Sequence, residues 1–189
     1  MENRSLTKIT NIAWSMIENC LHQGSVALDG TMGNGNDTVF LREKIGNAGK
    51  IYSFDIQDLA VENTRKKLDE RNMLSNVELI KDGHENLDKY IKEEIDGAMY
   101  NLGFLPKGDK SITTLGKNTV IAFEKTLNLL KKGGLMVISI YYGHEKGLEE
   151  KNMVLDYVQN LDSKKYHVIK MEFFNQKNNP PILVAIEKK

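Results

Sequence analysis

The run Val26-Ala27-Leu28-Asp29-Gly30-Thr31-Met32-Gly33-Asn34-Gly35 carries an apolar stretch into an acid and then into three glycines. Asn36-Asp37-Thr38 follow, where a helical pattern begins. Gly33 and Gly35 allow backbone dihedrals closed to other residues and a close approach of main chain to a ligand. A strand end of this kind is where open α/β sheets hold nucleotides and nucleosides. The dinucleotide pattern Gly-x-Gly-x-x-Gly is incomplete, because Thr38 stands at the third glycine position. A neutral-to-cationic nucleoside ligand needs no pyrophosphate cradle, and Asp29 suits an ammonium group on it, directly or through water.

Asp55 ends a second apolar run 22 residues after Gly33. A carboxylate there accepts hydrogen bonds from both ribose hydroxyls, with Gln57 as a neighbouring contact. Asp82 and His84 follow a third run, where an acid commonly sits near an adenine amino group. These features fit S-adenosylmethionine (SAM), and the candidate cofactor contacts are Asp29, Thr31, Gly33, Asn34, Gly35, Asp37, Thr38, Asp55, Gln57, Asp82, His84, Asn101 and Gly103.

Asn101-Leu102-Gly103-Phe104 ends a fourth run and loosely resembles the Asn/Asp-Pro-Pro-aromatic tetrapeptide of amino methyltransferases, with both prolines absent. In that motif the amide oxygen accepts from the substrate nitrogen and aims its lone pair. Tyr141-Tyr142-Gly143-His144 closes a fifth run. Asn101, His144 and Tyr141 are the candidate catalytic residues, with His144 positioning the acceptor or taking its proton.

These residues need a scaffold that brings several strand ends to one edge. Apolar spacing predicts a helix over 6–22, then strands at 25–28, 50–54, 77–80, 95–100 and 135–141. Helices are expected at 36–44, at 59–71 with Asp58 as N-cap, briefly after Asp82, over about 15 residues toward Lys131 with Gly133-Gly134 ending it, and near 148–161. Residues 166–174 and 182–187 have no helix between them and read as an antiparallel hairpin. The expected fold is α/β, Rossmann-like, of the class I methyltransferase type: a seven-stranded, mostly parallel sheet with a C-terminal antiparallel hairpin and helices on both faces.

The 189 residues suit one domain. Lys and Arg balance Asp and Glu at 26 each, which argues against a general nucleic-acid coat but leaves room for a local patch from lysines 107, 110, 117, 131 and 132. No apolar run reaches membrane length, no signal-peptide core is visible, and a cytoplasmic location is expected. The lone Cys20 reads as a structural thiol, and no ligand cluster for a metal is present.

Together these stretches resemble the YtqB-like family of small bacterial methyltransferases, once described as rRNA methylases and now linked to methylation of the aminomethyl group on the tRNA wobble uridine (the MnmM activity). The likeness spans nearly the whole chain: residues 29–38, Tyr100–Pro106 with Gly108-Asp109-Lys110, Tyr141–His144, and Asn175-Gln176-Lys177-Asn178-Asn179-Pro180-Pro181. Tyr142 stands where the family often has proline and Lys107 where it often has glycine. The resemblance implies SAM as cofactor and the anticodon stem-loop of tRNA as partner. It places the substrate at Tyr142, Lys107, Asp109, Lys110, Asn175, Gln176, Asn178 and Pro180. A homodimer would widen the tRNA footprint. Other acceptors, such as rRNA or a small amine, and an NAD(P)-binding module are the competing readings.

Overall fold

The computed structural model describes residues 6, 8–103, 105, 113–143 and 147–189. Seven strands form one sheet: β1 (Val26–Asp29), β2 (Lys50–Asp55), β3 (Val77–Lys81), β4 (Ile95–Leu102), β5 (Leu130–Ile140), β6 (Tyr166–Met171) and β7 (Ile182–Lys188). Their order is β3-β2-β1-β4-β5-β7-β6. All pairings are parallel except β5 with β7 and β6 with β7. The expected class I architecture, hairpin included, is what the chain adopts.

Successive strand residues point to opposite faces, and the two faces are packed separately. Leu28, Tyr52, Phe54, Ala98, Tyr100, Met136 and Ile138 meet Leu87, Phe123, Leu127 and Val154 on one side. Ala27, Ile51, Met99 and Val137 meet Ile9, Ile17, Leu41 and Ile45 on the other. The first side carries α4 (Gly116–Leu129) and α5 (Gly147–Gln159); the second carries α1 (Ile9–Ile17) and α2 (Asn36–Ile45), with α3 (Asp58–Asp69) beside α2. Near-continuous apolar strands follow from burial on both faces.

Three local expectations need correction. Asp58 is the first residue of α3 and makes no capping bond; Gln57 occupies the cap position and the Asp58 carboxylate pairs with Lys81 at 2.6 Å. Gly133-Gly134 do not end α4. The helix stops at Leu129 because Leu130 turns extended to pair with Ile95, and the glycines lie inside the irregular start of β5. The predicted 6–22 helix is α1 followed by a separate 3-10 turn at Glu18–Cys20.

The topology fixes the site. Strand order reverses between β1 and β4, so the chain leaves these neighbours in opposite directions and opens a crevice at their carboxyl ends. Asp29 stands opposite Met99 in that register. The glycine turn and Asn101 are thus brought together from positions about seventy residues apart, and the Asn101 N–H donates to Thr31 Oγ1 at 2.7 Å.

Candidate functional site

A cavity of about 790 Å3 opens at this crevice, within the size range of small-molecule sites. Of the predicted residues, Thr31, Gly33, Asn34, Asp37, Asp55, Gln57, Asp82, His84, Asn101, Gly103 and Tyr141 line it. Asp29, Gly35 and Thr38 lie behind its wall. Tyr142 packs against the core, with Lys151 Nζ 4.6 Å from its ring centre. Asn175, Gln176, Asn178 and Pro180 lie outside the lining, in the β6–β7 loop. Because Ile182 pairs with Ile140, that loop emerges at the same sheet edge as Tyr141. His144, Lys107, Asp109 and Lys110 fall outside the described residues.

The glycine turn is held from within. The N–H groups of Gly30, Thr31, Met32, Gly33 and Gly35 donate to Met99 O, Asp29 Oδ1, Phe54 O, Asp55 Oδ2 and Met32 O, at 2.8–3.1 Å. From outside, Lys67 Nζ donates to Asn34 O at 2.6 Å and Thr64 Oγ1 to Gly33 O at 3.3 Å. Gly33 and Gly35 have φ of +52° and +71°, the left-handed region that glycine enters freely. At Gly30 the constraint is space, since a Cβ would sit 2.0 Å from the Tyr100 ring. With five amides already donated, the turn is poorly equipped to cradle a pyrophosphate, which counts against the NAD(P) reading.

The same geometry fits the parts of SAM. Asp55 is oriented by the Gly33 and Gln57 N–H groups at 2.9 and 3.0 Å, and each oxygen keeps a lone pair for a ribose hydroxyl. Asp82 accepts from Gly83, Asn86 and Tyr90 at 2.7, 2.9 and 2.9 Å. Burial opposes its charge, but the bonds from Tyr90, Asn86 and Gly83 outweigh this and hold the carboxyl below its ordinary range. His84 Nδ1 lies 3.0 Å from Gly30 O. A carbonyl only accepts, so Nδ1 carries the proton. Burial keeps the ring neutral, and Nε2 is left as an acceptor suited to an exocyclic amino group.

Beneath the turn lie two buried acids. Asp29 accepts from Thr31 N–H at 3.1 Å and Thr38 Oγ1 at 2.6 Å. Burial, and next the nearby Asp37 charge, raise it to about 7. Fully enclosed and with both oxygens engaged, it reaches an ammonium only through the turn. A carboxyl raised on folding contributes stability that is complete below the unfolded value of ~3.9 and is lost as pH rises through about 7. This carboxyl therefore makes the protein less stable at pH 8 than at pH 5, while the buried neutral His84 acts in the opposite sense. In Asp29→Asn the amide can donate to Thr38 Oγ1 while that hydroxyl turns to Ser53 Oγ, 2.8 Å away, and the loss of stability from pH 5 to pH 8 that Asp29 causes should disappear relative to wild type. Thermal melts of both proteins across this range check it; parallel slopes would discount the role of Asp29.

At the end of β4, Asn101 Nδ2 donates to Asp37 Oδ2, which leaves Oδ1 as the acceptor atom of this amide. Burial, and next Asp37, push the Tyr141 phenol up to about 12, so it stays a neutral hydroxyl near neutral pH. One wall comes from residues the sequence reading passed over: Lys8, Thr10, Asn11 and Trp14 of the first helical segment. Attention to its apolar stripe hid its polar side; the signal was Trp14, the single tryptophan of the chain. Its ring stacks on Phe40 at 4.7 Å, and Nε1 donates to Asp37 Oδ1 at 2.7 Å.

Among the described residues, no helix is long and apolar enough to cross a membrane, and no group of three or more His, Cys, Asp or Glu is placed to hold a metal ion.

Comparison with known proteins agrees with this geometry. Residues 51–187 match the family described as "Putative rRNA methylase". The chain is 31% identical to the chloroplastic tRNA (mnm(5)s(2)U34)-methyltransferase of Arabidopsis thaliana, over 98% of this chain and 70% of that protein. A Clostridium thermocellum protein described in the same rRNA-methylase terms superposes with a TM-score of 0.95 at 44% identity, covering 97% of this chain and 99% of the other. A Streptococcus mutans methyltransferase solved in complex with SAH (the demethylated form of SAM) gives 0.90 at 41% identity, with the same coverage.

Proposed function

The chain belongs to the rRNA methylase family of SAM-dependent methyltransferases, and from that premise we propose that it methylates the primary amine of 5-aminomethyl-(2-thio)uridine at the wobble position of tRNA, giving 5-methylaminomethyl-(2-thio)uridine. The cofactor is SAM, which when bound supplies a methyl group on a positively charged sulfur. Asp55 would hold its ribose, Asp82 and His84 its adenine edge, and Thr31 to Asn34 its methionyl end.

The observation that carries the reading is the orientation of the Asn101 amide. One of its two side-chain N–H groups donates to Asp37, and its oxygen, which takes no hydrogen bond among the described residues, would accept an N–H from an incoming amine and turn the lone pair toward the methyl group. A primary alkylamine arrives mostly protonated and must shed one proton before it can attack, so the site needs acceptors more than acids. Tyr141 offers a neutral hydroxyl beside the cavity for the same nitrogen. Alignment of this kind accounts for more of the rate than formal base catalysis.

An anticodon loop presents unstacked bases to a pocket, which suits a small enzyme. Lys117, exposed at the start of α4, would contact anticodon-loop phosphates together with Lys107 and Lys110. The Asn175–Pro181 loop would contact the base edge or flanking riboses, and His144 would position the acceptor amine. The activity of the Arabidopsis relative supports this substrate.

The test is incubation of the protein with SAM and tRNA carrying the 5-aminomethyl group, with nucleosides identified by mass spectrometry. Appearance of the methylaminomethyl nucleoside is expected. A folded, SAM-binding protein that leaves this nucleoside unchanged but methylates rRNA would replace the tRNA assignment.

A further inference from the structure

We infer that Asp37 is a positioning residue for the acceptor: it fixes which atom of the Asn101 amide faces the substrate nitrogen, and Trp14 in turn fixes Asp37. For the substrate this rests on the reading just proposed. The geometry is a three-residue relay across two helices and a strand end. Trp14 Nε1 on α1 donates to Asp37 Oδ1 at 2.7 Å, and Asn101 Nδ2 at the end of β4 donates to Asp37 Oδ2. Asp37 lies in the first turn of α2 and is buried, yet it reaches the cavity wall. The indole can only donate; burial raises the Asp37 carboxyl above its ordinary range while the bonds from Trp14 and Asn101 work against that rise, and the ionised form that these two donors favour can only accept. The relay therefore has one consistent polarity, with Asn101 Oδ1 left over. An amide turned over would instead present an N–H, which competes with the methyl group for the amine's lone pair.

Position 37 can be neutralised without a change of shape. In Asp37→Asn, the new amide oxygen must serve Trp14, because the indole has nothing else to offer. The new amide nitrogen then faces the Asn101 Nδ2, and Asn101 has to turn over. In the reciprocal swap Asp37→Asn/Asn101→Asp, the amide placed at position 37 still accepts from Trp14 and donates to one oxygen of the carboxylate placed at position 101. The other oxygen of that carboxylate again faces the acceptor. The swap thus restores the polarity while moving the charge from one side chain of the pair to the other.

The closing experiment compares wild type, Asp37→Asn and the double swap. Turnover is measured on tRNA carrying the 5-aminomethyl group, and SAH affinity by calorimetry. Asp37→Asn is expected to lower kcat by roughly 100-fold, the scale of losing one aligned polar contact at the reacting centre, with SAH affinity changed less than about threefold. The double swap should recover about tenfold or more of that loss. Wild-type turnover in Asp37→Asn, or a swap no better than the single variant while both fold and bind SAH, overturns the assignment. Amide NMR reads the same geometry with no acceptor present. The Asn101 side-chain protons, identified by their loss in Asn101→Ala, should include one shifted downfield by the carboxylate, and that shift should vanish in Asp37→Asn. The single indole N–H signal should persist as a sign that the relay's other half is intact. If wild type leaves the tRNA unmodified, the substrate reading fails; the NMR comparison still decides the positioning role, and an unshifted Asn101 amide in wild type refutes it.

Discussion

Asn101→Ala is expected to lower kcat by about 100- to 1,000-fold while SAH binds within about threefold of wild type. The asymmetry follows from what Asn101 touches. Its backbone N–H holds Thr31 Oγ1 at 2.7 Å, and this bond survives the substitution. Its side chain contacts only Asp37 among the described hydrogen bonds and otherwise faces the cavity. Removing it would delete the proposed acceptor for the amine and free one oxygen of Asp37, which water can reach from the cavity. The turn that holds the cofactor is untouched. Single-turnover rates at saturating SAM, together with calorimetry on SAH, separate the two effects. A loss of SAH affinity as large as the loss of rate would place Asn101 on the cofactor side instead.

The opposite pattern is expected at Asp55. Asp55→Ala removes the carboxylate that would hold both ribose hydroxyls, and it also strips Gly33 and Gln57 of their N–H acceptors. Charge-assisted bonds contribute about 1.5–3 kcal/mol each, so SAH affinity should fall by roughly 100-fold or more. The rate at saturating SAM should suffer much less. Asp55→Asn separates two contributions: it keeps one acceptor for the turn but loses the second, so an intermediate loss is expected. Calorimetry with SAH across the three proteins makes the comparison, and unchanged affinity in Asp55→Ala would refute the ribose assignment.

Much of this site could be read in the residues because the fold repeats one device. Each of the five parallel strands β1 to β5 runs into a polar residue at the same sheet edge, so Asp29, Asp55, Asp82, Asn101 and Tyr141 are recognisable one strand at a time. Pairing of β1 with β4 then made neighbours of motifs far apart in sequence, which no local pattern reports. The division of labour between the two acids of the first motif was hidden for the same reason. Asp29 and Asp37 both looked like ligand contacts, yet helix α2 turns Thr38 under the strand to cover Asp29 and swings Asp37 outward to meet Trp14. Helix ends were read less well. Asp58 resembles an N-cap by type, but Lys81 on the adjacent strand competes for its carboxylate. Gly133-Gly134 resemble a helix stop, but strand pairing at Leu130 acts first. In each case a contact from another element overrode a sound local preference.

The internally bonded glycine turn bears on the timing of the catalytic cycle. Its amides find their partners within the protein, in the strand ends, in Asp29 and Asp55 and in Met32 of the turn itself. The cofactor therefore meets a surface already in its binding shape and loses little affinity to ordering the main chain. The same rigidity acts when SAH departs, since release does not wait for this loop to rearrange. A slow step in turnover would then be sought on the acceptor side of the pocket rather than in this turn.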